Sequence, residues 1–445
     1  MVNKMINKVE IIRKETIKPS SPTPSHLKSY KLSVLDQLGP PVYCRMVYFY
    51  TNNDATNTTS TSNEQKSQQL KRSLSESLAR FYPIAGRVNN NTAIECNDEG
   101  AEYVEARNHG LLSTFLEQPA DLEALEEFLP AAVVSPEAGL WPLFLVQVTF
   151  FDCGGLAIGA CMSHKIADAT TISIFMKSWA ATSRSSTGRS GDQAVLMPVL
   201  NAESYFPQRD LSLFQLLPAV EFKKAEYVTK RFVFGKQKMM DLKAKIGGET
   251  TTTTRVQSVT GLIWKCVIAA SLYSKSGRVP KKFVLSQAMN IRKRADPPLP
   301  ENLIGNVVSI FAVQTDEQKP TLEHLVAELR KGIIEFTERR AKRLRQDDAS
   351  KVIFEDLKEA GELMGRDTSE GLIVTSLCNF QLYEAVDFGW GKPVWATAPL
   401  TVGHDNFVSL MDTKDAGGIE AWVTLSKEDM DSFQRNPEIL EFARP

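Results

Sequence analysis

Residues 143–151 are apolar except for Gln147 and Thr149, and the run reads as a strand buried on both faces. Asp152, Cys153, Gly154 and Gly155 then reverse the chain, and residues 156–162 read as the antiparallel partner. What comes next constrains the fold most. After Met162, Ser163, His164, Lys165, Ile166, Ala167 and Asp168, the apolar residues Ile172, Phe175, Met176 and Trp179 fall at i, i+3, i+4 and i+7, one face of a helix. Asp168 is placed to cap that helix. His164 therefore lies at the mouth of a strand, held by rigid elements and open to a ligand. That is a suitable place for a catalytic base.

Two readings of the pair stay open. A spacing of four on a helix would bring His164 and Asp168 together as an orienting dyad, but the predicted helix starts only at Asp168. The alternative makes His164 a satisfied loop residue and Asp168 a cap and nothing more. A metal site is not expected, because no second His or Cys stands near enough to complete one.

Composition narrows the class. The 445 residues are 42% apolar and 24% charged, ordinary for a globular enzyme and long enough for two lobes. A net charge of −1 gives no reason to expect nucleic acid or an anionic membrane as partner. No apolar run approaches the roughly 20 residues of a membrane span, and residues 1–8 hold no segment of signal-peptide length. The six cysteines (Cys44, Cys96, Cys153, Cys161, Cys266, Cys378) show no CxxC spacing and read as reduced thiols, so a cytoplasmic location is expected.

Along the chain, residues 8–18 and 42–50 read as strands and 70–81 as a helix with Leu70, Leu74 and Leu78 on one face. Residues 93–96 and 101–106 are expected to form a hairpin around residues 97–100. Periodicity fades between about 182 and 222, which sets an N-terminal lobe at 1–205, a crossover at 206–222 and a C-terminal lobe at 223–445. In the second lobe, 255–274 reads as a helix, 282–291 and 307–314 as strands, and 322–346 as one long charged helix. Strands and helices mix in both halves, so the fold class is α/β (mixed α+β).

Two motifs in this order carry a resemblance: His164-x-x-x-Asp168 in mid-chain and Asp387-Phe388-Gly389-Trp390-Gly391 near the C-terminus. Residues 82–87, Asn290-x-Arg292 with its following prolines, and Gly305-Asn306 extend it over nearly the whole chain. The sequence resembles the BAHD superfamily of plant acyl-CoA-dependent acyltransferases, closest to its alkaloid and alcohol O-acetyltransferases.

The resemblance implies a two-lobed, chloramphenicol-acetyltransferase-like fold with a channel between the lobes. It implies a monomer that uses acyl-CoA, acetyl-CoA first, as co-substrate, with no tightly bound cofactor and a small-molecule alcohol as acceptor. His164 would be the general base. Asp168 would pair with Arg292 and orient the His164 loop, while Asp387 would hold architecture with Asn306 as its partner. Gly389, Trp390 and Gly391 would be structural, a tight turn plus a packed ring. Thr254 and Arg255 match the CoA-side segment, and Thr375 and Ser376 the acceptor side. Leu377 stands where the family often has Trp, and Asn379 where Arg is frequent, which implies a less polar, differently shaped acceptor pocket.

The chemistry follows. A neutral imidazole takes the hydroxyl proton as the oxygen attacks the thioester, then returns it to the leaving thiolate, so a ternary complex without an acyl-enzyme is expected. The alternatives are N-acylation, a longer or aromatic acyl group, or a catalytically silent binding or regulatory relative.

Overall fold

The structure, a computed structural model, describes residues 9–52, 62–117, 122–132, 141–185, 195–211, 227–247, 253–274, 280, 282–345, 349–364, 369–399 and 406–444. Most of the expected crossover, and Thr250–252 of the threonine run, lie outside the described residues. In chain order the first eight strands are β1 (Val9–Ile17), β2 (Ser29–Lys31), β3 (Tyr43–Tyr50), β4 (Arg87–Asn89), β5 (Ala93–Glu95), β6 (Ala101–Asn108), β7 (Phe144–Phe151) and β8 (Leu156–Ser163). Then come β9 (Tyr227–Phe234), β10 (Lys282–Asn290), β11 (Val308–Thr315), β12 (Ser369–Ser376), β13 (Trp395–Thr397), β14 (Phe407–Asp412) and β15 (Ile419–Ser426).

The chain divides into two compact units, and not at a single cut. The first comprises 1–208, 300–307 and 380–400; the second comprises 209–299, 308–379 and 401–445. This differs from the expected division, which put residues 387–391 in the C-terminal lobe; they belong to the first unit.

The first unit is built on a six-stranded sheet in the order β1-β6-β7-β8-β3-β13. The expected hairpin of β7 and β8 is its centre, antiparallel from Phe144↔Met162 to Phe150↔Leu156. Both strands are buried along their whole length, which is why their sequences are almost continuously apolar. β5 and β6, expected to pair with each other, do not. β5 joins β2 and β4 in a small sheet, while β6 runs between β1 and β7. Asp98, between them, bonds Thr23 and Lys28 instead of closing a two-strand turn.

Helix Ala169–Ser185 starts where the sequence placed it, and its predicted face, Ile172, Phe175, Met176 and Trp179, is buried. It packs on helix Asn63–Arg80, which begins seven residues earlier than expected because Ser62 and Gln65 form a capping box. Trp179 is fully buried, sets its ring edge-on to Phe144 and Phe388, and donates from Nε1 to Ser73 Oγ at 3.1 Å.

The second unit carries the sheet β11-β10-β12-β14-β15-β9, parallel at β10–β12 and β12–β14 and antiparallel elsewhere. Helix Arg255–Ser274 packs against helices Leu322–Glu335 and Lys427–Phe433. Its stretch Arg255–Tyr273 is long and apolar enough to cross a membrane by length and composition alone, but 67% of its 18-residue window is buried in the protein. It is a core helix. The expected helix over 322–346 is three pieces: Leu322–Glu335, a π-helical turn at Phe336–Arg340 and a 3-10 segment at Ala341–Arg345. A further helix, Ala349–Met364, was missing from the sequence reading.

Trp179→Ala removes the ring that joins the two helices and the sheet. Denaturant unfolding should show a loss of about 3–5 kcal/mol; a loss under about 1 kcal/mol would mean that this packing is not the core of the first unit.

Candidate active site

His164 follows the last residue of β8, and its backbone N–H still bonds Val42 O at 2.9 Å, continuing the β3–β8 ladder by one residue. β8 is buried throughout, whereas His164 and Lys165 are half-buried, so the chain emerges from the core at the imidazole.

The ring is oriented from one side. His164 Nδ1 lies 2.8 Å from Asn306 Oδ1. The Asn306 amide nitrogen donates to His164 O at 2.7 Å and to Asp36 Oδ1 at 3.2 Å. Both partners are acceptors, so only the amide nitrogen can serve them, and the amide oxygen must face the imidazole. Nδ1 therefore carries the proton and donates, leaving the lone pair on Nε2. Nε2 is the basic nitrogen.

Asp36 anchors this arrangement. Its Oδ1 accepts from Asn306 N at 2.7 Å, and its Oδ2 from Ser33 N and Ser33 Oγ. Burial holds its carboxyl above the ordinary value despite these donors. Asp36 also stands at the third position of helix Val34–Leu38, in a capping box with Ser33. Gly39 ends that helix, and a Cβ there would come within 2.4 Å of His164 O.

The imidazole pKa is a balance. Burial lowers it; Cys44, by charge and by a hydrogen bond, raises it, as do the backbone and Asn306, and the result is pushed up to about 9. Next to it, burial lowers the Lys165 ammonium to about 8, although Asp36 opposes the shift. Lys165 Nζ donates to Gln37 O at 3.1 Å.

Asp168 acts as the cap the sequence suggested. Oδ1 accepts from Thr171 N at 2.8 Å, and Oδ2 accepts from Val307 N at 3.1 Å. It thereby ties the helix start to residues 305–307, the segment that delivers Asn306. Thr171 adds to this tie, its Oγ1 donating to Gly305 O at 3.0 Å. Gly305 has φ +129°, a conformation a side chain would strain.

Asp387 is not partnered by Asn306, and that expectation is corrected. The Asn306 amide is spent on Asp36 and His164, whereas Asp387 Oδ1 accepts from Gly389 N at 2.8 Å and Gly391 N at 3.0 Å. Both glycines have positive φ, +114° and +113°. Phe388 packs against Trp179 and stacks on Trp390, the expected turn plus packed ring.

The remaining predicted residues lie in the second unit. Arg292 is buried, and its Nη1 reaches Asn290 Oδ1 at 3.4 Å. Thr254 caps helix Arg255–Ser274 reciprocally with Gln257. The Arg255 guanidinium closes the β14–β15 connection, donating to Ala416 O, Gly418 O and Asp412 Oδ1. Both residues thus have structural work. Thr375 and Ser376 are half-buried neighbours on β12, and adjacent strand residues point their side chains to opposite faces. Asp36 and Cys44 were missed as site residues. Ser33-x-x-Asp36 is a legible capping signature, but nothing local says that the same carboxylate holds Asn306.

Asp36→Asn puts an amide in place of the carboxylate and weakens one of the two acceptors that hold the Asn306 amide nitrogen, so the tautomer protonated on Nε2 gains population. Turnover should fall about 10²-fold or more with the fold retained; unchanged turnover in a correctly melting variant would refute the tautomer assignment. With His164 as the expected general base, only its unprotonated form is active, so kcat/KM should rise with pH through about 9. Cys44→Ala removes the largest raising influence and should move that limb to lower pH; an unmoved limb would exclude the coupling.

Comparison with known proteins places this geometry. The profile of the Transferase family matches residues 7–440. Vinorine synthase of Rauvolfia serpentina is 36% identical, over 96% of each chain. Its crystal structure superposes with a TM-score of 0.82 over 98% of each chain, at 34% identity. Salutaridinol 7-O-acetyltransferase of Papaver somniferum is 35% identical over 97% of this chain and 98% of its own. The F. graminearum TRI101 structure, complexed with coenzyme A and T-2 mycotoxin, shares the fold at a TM-score of 0.69 and 16% identity, covering 94% of this chain and 99% of its own. The chain belongs to this Transferase family, the BAHD acyltransferases, as the two motifs implied.

Proposed function

We propose that this acyltransferase moves an acetyl group from acetyl-CoA to a hydroxyl of a plant specialised metabolite, with His164 Nε2 as general base. The observation that carries the reading is the fixed amide of Asn306, which commits Nδ1 to donating and leaves Nε2 free. The O-acetyltransferase names of relatives support the reaction type, and TRI101 with bound coenzyme A supports the donor class.

In this mechanism Nε2 takes the proton of the alcohol while its oxygen forms a bond to the thioester carbon. The tetrahedral oxyanion collapses, the carbon–sulfur bond breaks, and the imidazolium returns its proton to the coenzyme A sulfur. Positioned base catalysis of this kind contributes roughly 10²–10⁴-fold, and holding both reactants in one site supplies much of the remainder. Asp168 acts at a distance, by fixing the backbone on either side of the reaction geometry. The pairing of Asp168 with Arg292 belongs to the same proposal, supported by the burial of both side chains, since a buried charge requires compensation.

A panel of acetyl-CoA with alkaloid, terpenoid and volatile alcohols, read by thiol release, tests the reaction. His164→Ala should lower kcat roughly 10²–10⁴-fold, and full activity in that variant would end the assignment. Transfer to amines in place of alcohols would turn the reading to N-acylation. For the ion pair, a double-mutant cycle of Asp168→Asn and Arg292→Gln should give a coupling of about 0.5–3 kcal/mol in unfolding; additive effects would remove the pairing.

A further inference from the structure

His164 and Lys165 are the two central residues of one tight turn, closed by Ile166 N donating to Ser163 O at 3.2 Å. Lys165 N adds a bond to Ser163 Oγ at 3.3 Å. The backbone from the imidazole to Lys165 is therefore fixed, and what remains is where the lysine side chain goes. It is half-buried, and among the described residues its ammonium has one hydrogen-bond partner, Gln37 O at 3.1 Å.

Gln37 is the residue after Asp36, in helix Val34–Leu38. The last carbonyls of a helix have no partner within it, and this helix has no basic residue of its own in its last turn. Lys165 supplies the cation there, beside Asn91 Nδ2, which also donates to Gln37 O at 3.1 Å. Ser33 holds the opposite end. The helix that carries the buried Asp36 carboxylate is thus anchored at both ends, and one anchor is the residue next to the imidazole.

These bonds close a ring. From the His164 carbonyl it runs through Asn306 Nδ2 to Asp36 Oδ1, along the chain to Gln37 O, across to Lys165 Nζ, and back along the chain to His164. Its longest contact is from Asn306 to Asp36, 3.2 Å, against 2.7 Å to His164 O and 3.1 Å from Lys165 to Gln37 O. A shift of the helix away from the turn breaks that contact first. The charges agree with the path: burial opposes the Lys165 cation, and Asp36 is the charge that favours it.

We propose that Lys165 is a positioning residue for the His164 base: its side chain locks the Asp36 helix against the turn and so keeps the Asn306 amide oxygen facing the ring. The inference rests on the reading above that His164 Nε2 is the base. The effect passes through Asp36 and Asn306 and not through the reactants. Loss of the Lys165 proton leaves an amine that still carries N–H donors, so the bond to Gln37 O persists and adds no falling limb to the pH profile.

The test compares Lys165→Met, which keeps most of the side-chain length without the donor, with Lys165→Arg, which keeps a cationic donor. Acetyl transfer to an alcohol accepted in the panel above gives kcat and KM, and melting curves report folding. Nitrogen-15 spectra of histidine-labelled protein report the tautomer, taken above the His164 pKa, where the ring is neutral. The chain has five histidines, and His164→Ala assigns the signal. Lys165→Met should lower kcat about 10-fold or more, leave KM for acetyl-CoA within about twofold, and move the His164 proton from Nδ1 toward Nε2. Lys165→Arg should lie closer to the wild type in both kcat and tautomer. A folded Lys165→Met with wild-type kcat and tautomer overturns the proposal. So does a lowered melting temperature with kcat and tautomer unchanged, because that is a structural role and nothing more. If His164→Ala keeps full turnover, the function proposed above falls, while the tautomer in Lys165→Met still decides the lock.

Discussion

The direction in which one amide faces sets which nitrogen of the His164 imidazole carries the lone pair. Asn306 lies between a buried carboxylate and an imidazole, and an isolated amide could face either way. Here two acceptors, Asp36 Oδ1 and the His164 carbonyl, claim its nitrogen, so its oxygen is left for Nδ1. A proton on Nδ1 is a lone pair on Nε2. Asp36, His164 and Asn306 come from three distant stretches of sequence, so the basic nitrogen is defined only once the first unit has folded. The cost is a carboxylate held in a dry interior, offset by donors from Ser33 and Asn306. Removing one of those donors leaves a buried charge short of a partner, so stability and turnover cannot be separated cleanly at these positions.

The two motif aspartates illustrate how the same chemistry serves architecture. Each accepts from two backbone N–H groups. Asp168 takes Thr171 and Val307, and Asp387 takes Gly389 and Gly391. A carboxylate that receives such charge-assisted bonds fixes the backbone path around it. In the first case the path is the helix start together with the segment bearing Asn306. In the second it is a turn that two positive-φ glycines permit and that seats Phe388 against Trp179. Both carboxylates decide where other groups lie.

Much of this was legible in sequence wherever the signal was local. The buried hairpin of β7 and β8, the helix after Asp168 and its capping residue follow from apolar period and cap chemistry within about thirty residues. The family motifs pointed to His164. Partners distant in sequence were not legible. β5 and β6 look like a hairpin because a turn-rich tetrapeptide separates them, yet Asp98 is engaged by Thr23 and Lys28, and the strands enter different sheets. The 322–346 run has uninterrupted helical composition, and the π-helical turn at Phe336–Arg340 leaves no composition mark. Asn306 was assigned to Asp387 by likeness, but the geometry of an amide with two committed donor bonds excludes it. Asp36 reads as a cap, and its second role exists only in three dimensions.

The half-buried group at the end of β3 and β8 brings these strands of reasoning together. Cys44, His164 and Lys165 are the points at which an otherwise sealed pair of strands opens. Burial acts on both cations in the same sense, against the charged form, and it succeeds at Lys165. At His164 it is outweighed by a thiol. The thiol at position 44 thus bears on the same lone pair that Asp36 and Asn306 orient, one side deciding its direction and the other its availability.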